Sequence, residues 1–436
     1  MRHAIRILAL VFPLSATQLL AQGLQVAAPA ELGFDPAKLP SIEARLQKEV
    51  DDNLAAGASA LLVRDGRVAF LATAGHADRE AGTPMKPDTV VRIASMTKPV
   101  TSVAVMILVD EGKLALDDPL AKYLPEFAQV SVLASPNESG NGHPAATVPA
   151  KTPITIRQLL THTSGISYRF IGHPTLSPMF VEAAVADGLS ETSGTMAENV
   201  KRLARVPLLC EPGTKWNYGL NTDVLGRVVE VVSGQTLDAF FRERLFKPLG
   251  MNDTHFILPA EKRSRLATVY GIENGKPLTR HTSVLIQRGP LVYSTTYPIW
   301  DDNAGYYSGG AGLVSTLGDY ARFLQMLLNR GELDGQRILE PETVDAMTSN
   351  QIGQLNLSIG DDGNGMGFGY GFGVVTSENQ GTAPIGSYSW GGFFSTMFWV
   401  DPKNKLAGLL FTQTHPAGST TLSADFQRLT YEALAN

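Results

Sequence analysis

Val90-Val91-Arg92-Ile93-Ala94-Ser95-Met96-Thr97-Lys98-Pro99-Val100 passes from a β-branched run into a long helical pattern. The run Val90–Ile93 predicts a strand. Apolar residues at Val100, Val103, Ala104, Ile107 and Leu108 then repeat with helical spacing from Ser95 to Asp110, up to a stop at Gly112. Pro99 is compatible with that helix only in its first turn, which agrees with a start at Ser95. Residues three apart on a helix share a face, so the Ser95 hydroxyl and the Lys98 amine can meet. A serine hydroxyl is a weak nucleophile until a neighbouring base takes its proton. A lysine can serve where burial or a second cation disfavours its charged form. The helix N-terminus adds backbone donors where an oxyanion would form. Serine three residues before lysine is a common pairing, and on this motif alone Ser95 reads more readily as a plain N-cap.

On the N-terminal side, Ala58–Val63 and Val68–Ala72 flank Arg64-Asp65-Gly66-Arg67, the pattern of a β-hairpin. Tyr370–Val375, Thr396–Val400 and Leu406–Phe411 predict strands near the other end of the chain, followed by a helix from Leu422 to Ala435. Between these regions the pattern is helical. Thr155-Ile156-Arg157-Gln158 is a capping box opening a helix through Leu160. Further helices are expected at Val224–Val232, at Leu237–Leu245 with a stop at Pro248 and Gly250, and at Thr316–Leu328. Ser131–Pro153 and Gly353–Gly367 read as irregular loops. Strands at both ends with helices between them imply an α/β (α+β) fold, an antiparallel sheet flanked by helices with a mostly helical insertion. The expected division is 22–115 together with 300–436 for the α/β domain, and 116–299 for the helical one.

The 436 residues carry a net charge of −6, which offers no electrostatic footprint for nucleic acid or an anionic membrane. Arg2 and Arg6, the apolar run Ile7–Leu20 and the small residue Ala21 form a signal-peptide pattern over residues 1–21, and predict export to the periplasm or medium. Pro13 interrupts the run, which is short for a membrane span. Cys210 is the single cysteine, so no internal disulfide is expected, and its apolar flanks read as a buried structural thiol. No His pair has metal-ligand spacing, so no catalytic metal is expected, and nucleophilic chemistry at a serine needs no cofactor.

Three further segments bear on Ser95. Leu159-Leu160-Thr161-His162-Thr163-Ser164-Gly165-Ile166 resembles a segment shared by β-lactamase-related serine hydrolases, including class C β-lactamase relatives and family VIII carboxylesterases. Pro212-Gly213-Thr214-Lys215-Trp216-Asn217-Tyr218 resembles the family's Pro-Gly…Tyr-x-Asn pattern, with Leu220 standing where the family has asparagine and Asn221 one residue late. Ser389-Trp390-Gly391-Gly392-Phe393 occupies the place of the Lys-Thr-Gly of β-lactamases and transpeptidases, and is similar to family VIII esterases. Ala121–Phe127 and Ser308-Gly309-Gly310-Ala311-Gly312-Leu313 extend the resemblance over most of the chain from about residue 35. No Gly-x-Ser-x-Gly is present, so a nucleophile elbow is not a rival.

The resemblance implies a β-lactamase/transpeptidase-like fold in which Ser95 is the nucleophile and Lys98 and Tyr218 its activating pair. It assigns the oxyanion donors to the backbone N–H groups of Ser95 and Phe393, and a cleft wall to Trp390, Gly391 and Gly392. His162 takes no direct part. A tyrosine becomes a usable base beside a cation, which Lys98 supplies. Glycines without Cβ permit close approach of a substrate along a strand edge. Trp390 in place of a lysine, and Leu220 in place of asparagine, favour a small uncharged ester as substrate. A β-lactamase or D-amino-acid peptidase remains the alternative, and a non-catalytic penicillin-binding-like protein the second.

Overall fold

The computed structural model describes residues 23–133, 147–189, 194–272, 278–281, 286–288, 291–293, 305–355, 357, 366–378 and 382–435. The expected signal segment and most of Gly353–Gly367 lie outside them. Helix α1 (Pro40–Asp51) precedes the hairpin formed by β1 (Gly57–Arg64) and β2 (Arg67–Asp78), and β3 (Thr83–Pro84) adds to its edge. The helices that follow include α2 (Thr97–Asp110), α3 (Ile156–Leu160), α4 (Asn221–Ser233) and α5 (Leu317–Leu328). Strands β4 (Gly367–Phe368), β5 (Gly373–Val374), β6 (Tyr388–Gly392), β7 (Thr396–Asp401) and β8 (Leu406–Phe411) lead to α6 (Leu422–Ala433).

These eight strands make one sheet in the order β4-β5-β6-β7-β8-β1-β2-β3, with every pairing antiparallel. The two ends of the chain meet at its centre, where Ser59 pairs with Phe411 and Val63 with Ala407. Alternation along β1 sends Ala58, Ala60 and Leu62 to one face, packed with Ile42 and Leu46 of α1 and Phe426 of α6. Leu61 and Val63 join the opposite core, which contains α2, α4 and α5 residues such as Val100, Val103, Val228 and Phe323. With both faces covered, β1 is buried along almost its whole length.

The predicted helices hold to within a few residues. Thr155 caps α3 with the reciprocal Gln158 bonds of a capping box. The Leu237 helix runs through a π-turn at Arg242–Phe246 and stops at Gly250. Two expectations change. Tyr370–Val375 is not one strand, because Gly371 takes φ 95° and turns the chain between β4 and β5. Ser131–Pro153 is not wholly irregular, since Ser131–Leu133 pairs antiparallel with Thr147–Pro149. Among the described residues no helix is long and apolar enough to cross a membrane.

Candidate active site

The strand ahead of Ser95 is short. Val91–Arg92 pairs with Val314–Ser315, and the Ile93 N–H donates to the Leu313 carbonyl at 3.1 Å. Ala94 then adopts φ 43°, a left-handed conformation that costs a residue with a Cβ about 1 kcal/mol or more and that collects at functional sites. Ala94–Met96 forms a 3₁₀ turn and α2 begins at Thr97, so Ser95 sits on a strained turn two residues before the α-helix proper. The Tyr320 hydroxyl, from α5, donates to the Met96 carbonyl at 2.8 Å and braces the turn.

The Ser95–Lys98 juxtaposition survives this adjustment. Lys98 is 1 % exposed, and its Nζ donates to Ser95 Oγ at 3.1 Å and to the Gly310 carbonyl at 2.8 Å. Ser95 itself is half-buried, so its hydroxyl borders the surface while its partner is enclosed. The ammonium lies 4.7 Å from the centre of the Tyr218 ring and 5.3 Å from that of Tyr168, within cation–π range of both.

Tyr218 is placed by the segment around His162. The Asn217 N–H donates to the His162 carbonyl at 2.8 Å, and the Asn217 side chain donates to the Ile166 carbonyl at 2.9 Å. Burial, and then the charge of Lys98, hold the His162 imidazole well below its ordinary range, so the ring is neutral near pH 7. Its Nδ1 accepts from the Gly219 N–H at 3.4 Å and meets the Asn221 amide at 2.8 Å. His162 therefore works as a buried brace.

Trp390 leans on this group, its ring 5.6 Å from Tyr218 and 5.3 Å from Phe368. Gly391 is exposed near the strand end, whereas Gly392 is buried. A Cβ on Gly392 would lie 2.4 Å from the Ile93 carbonyl oxygen and 2.1 Å from Thr396 Oγ1. Its lack of a side chain thus serves the packing of β6 against the Ser95 turn, rather than the approach of a substrate. Gly392→Ala is expected to destabilise the fold by about 1–3 kcal/mol. By displacing the Ser95 turn it should also lower kcat about 100-fold. Gly391→Ala, whose nearest neighbour would be the Thr396 carbonyl at 3.3 Å, should change both far less. Thermal melts with single-turnover kinetics on the two variants check this, and equal losses would refute the assignment. Phe393 follows in the turn, stacked on His415 at 4.4 Å and packed with Phe170, Phe394 and Ala94. The segments bearing the Ser95 and Phe393 amides are thereby neighbours.

The β-lactamase family model matches residues 42–432. The chain belongs to the β-lactamase family. Within it, the chain is 32% identical over 395 residues to esterase EstB of Burkholderia gladioli, covering 88% of this chain and 93% of the relative. It is 31% identical over 342 residues to the lovastatin esterase of Penicillium rubens, covering 75% and 80%. The solved structure of EstCE1, described as a hydrolase with promiscuous acyltransferase activity, superposes with a TM-score of 0.77 at 29% identity, covering 91% of this chain and 99% of that one.

Against the β-lactamase-family pattern, one sequence reading needs revision. Leu220 does not make the cleft wall less polar, because it is fully buried ahead of α4 and packs in the core. Asn221, one residue late for the family position, points elsewhere, as its place on a helix implies, and its side chain joins His162 to the Ser164 hydroxyl. Cys210 is buried, and burial pushes its thiol up, as expected of a structural cysteine. Two side chains close to Lys98 escaped the sequence reading. Tyr168 had no signal beyond following the family segment by two residues. Asp223 lies five residues past Tyr218 in the first turn of α4, where an acid is ordinarily explained by the helix dipole.

Proposed function

We propose that this protein is a carboxylesterase that hydrolyses short-chain esters through an acyl-Ser95 intermediate. The carrying observation is a buried Lys98 amine 3.1 Å from a partly exposed serine hydroxyl, with the Tyr218 ring against the amine. In this reading Ser95 Oγ attacks the ester carbonyl while the Lys98–Tyr218 pair accepts its proton. The amides of Ser95 and Phe393 hold the oxyanion, the alcohol departs with the proton returned by the pair, and water activated by the same pair releases the acid. Trp390, Phe368 and Tyr218 present an apolar aromatic wall, which suits an uncharged ester better than a carboxylate-bearing β-lactam. The esterase names of two relatives support the same substrate class. The basic and apolar residues 1–21 support a periplasmic or secreted location.

A fluorophosphonate probe tests the reading, because only an activated serine reacts. The expected result is one adduct on the peptide carrying Ser95, lost in Ser95→Ala, together with hydrolysis of p-nitrophenyl acetate and butyrate. A protein that neither labels nor hydrolyses would instead be a binding protein.

A further inference from the structure

Behind Lys98 lies a buried polar cluster that the acyl-transfer steps leave unused. Asp223 is 1 % exposed and faces the Ser308–Gly310 segment. Ser308 Oγ donates to Asp223 Oδ1 at 2.5 Å and accepts from the Ala311 N–H at 3.0 Å. The other oxygen, Oδ2, is buried without a well-aligned donor and packs against Gly310, whose amide faces the carboxylate. Thr101, one turn beyond Lys98 on α2, donates to the Gly309 carbonyl at 2.7 Å. The segment is thus tied from both sides, and its Gly310 carbonyl is the one that receives the Lys98 ammonium.

Among the described residues, the charges around this carboxylate are few. Lys98 faces it from α2, and Asp187, Tyr168 and Tyr306 share its surroundings. Arg169 stands 3.5 Å from Asp187, and Tyr218 packs on Tyr168 at 5.2 Å. Burial pushes the Asp223 carboxyl above its usual range, while the Ser308 hydrogen bond and Lys98 act against that rise. A buried ammonium whose hydrogen bonds, among the described residues, go to one hydroxyl and one carbonyl, with two tyrosine rings beside it, would be costly without an opposite charge.

We propose that Asp223 is a positioning residue for Lys98: it clamps Ser308–Gly310 so that the Gly310 carbonyl holds Nζ against Ser95, and its carboxylate balances the buried ammonium. The inference rests on Ser95 and Lys98 acting as proposed above. A fixed negative charge favours proton uptake by whichever member of the Lys98–Tyr218 pair acts as base. Its removal therefore moves the acid limb of the kcat/KM profile to lower pH.

Three variants separate the clamp from the charge. Asp223→Asn keeps an acceptor for Ser308, and should shift the acid limb down by about one pH unit with kcat reduced no more than about 10-fold. Ser308→Ala keeps the charge but cuts the clamp, and should lower kcat about 10-fold with the limb in place and KM little changed. Asp223→Ala loses both and should lower kcat about 100-fold; if it does not fold, the first two variants carry the test. An unmoved acid limb in Asp223→Asn, or wild-type kcat in Ser308→Ala, overturns the proposal. Fluorophosphonate labelling of the wild type at Ser95 is run beside them. Without it the nucleophile reading fails; with it, wild-type behaviour of the variants defeats only the role of Asp223.

Discussion

Ser95→Ala and Lys98→Ala are each expected to lower kcat by about 10⁴-fold or more, with the fold intact. The reason is geometric. Lys98 Nζ reaches Ser95 Oγ at 3.1 Å from an enclosed position, and no second lysine has an equivalent bond to the hydroxyl among the described residues. Tyr218→Phe should cost about 10²- to 10⁴-fold, the range of a general acid–base group. Because members of one proton-transfer unit fail together, Ser95→Ala combined with Lys98→Ala should add little to either change alone. Circular dichroism and thermal melts establish that the variants are folded, and steady-state kinetics on p-nitrophenyl butyrate give the losses. Tyr218→Phe with near wild-type kcat would remove the tyrosine from the base and leave Lys98 as proton acceptor. That outcome is informative here, since it is the Tyr218 ring that the structure sets against the ammonium.

Substrate discrimination should also be large. A cleft that turns over a β-lactam well supplies a cation or several polar donors to its carboxylate. Trp390 supplies an apolar face and a single N–H, and it is held in place by Tyr218 and Phe368. The kcat/KM for a chromogenic cephalosporin is therefore expected to fall at least ~100-fold below that for a short-chain aryl ester, about 2.7 kcal/mol of transition-state discrimination. Trp390→Lys should narrow the ratio mainly by harming ester turnover, because it also withdraws a ring that packs on Tyr218. Phe393→Ala leaves the backbone amide in place, so it should cost less than the ~100- to 1,000-fold of a lost oxyanion donor. Comparable efficiency on both substrates would overturn the ester preference and leave Ser95 chemistry untouched.

The sequence alone determined what short-range rules govern. Helical spacing joined Ser95 to Lys98, alternation and a turn placed the β1–β2 hairpin, and a capping box started α3 at the residue expected. Resemblance singled out Tyr218 and Trp390, and the structure brings their rings to 5.6 Å. Tertiary structure decided the rest. The Gly310 carbonyl is 212 residues from Lys98, and the Asp223–Ser308 bond spans 85, separations at which no periodic pattern links partners. Leu220 and Gly392 show the same limit from the other side. Resemblance sets both in the cleft, Leu220 in the place of the family's asparagine and Gly392 in the Trp390-Gly391-Gly392 segment. Leu220 turns instead into the core, and Gly392 is pressed on the Ile93 carbonyl. Adjacency in sequence fixes the backbone path, whereas the direction each residue faces depends on which distant element packs against it.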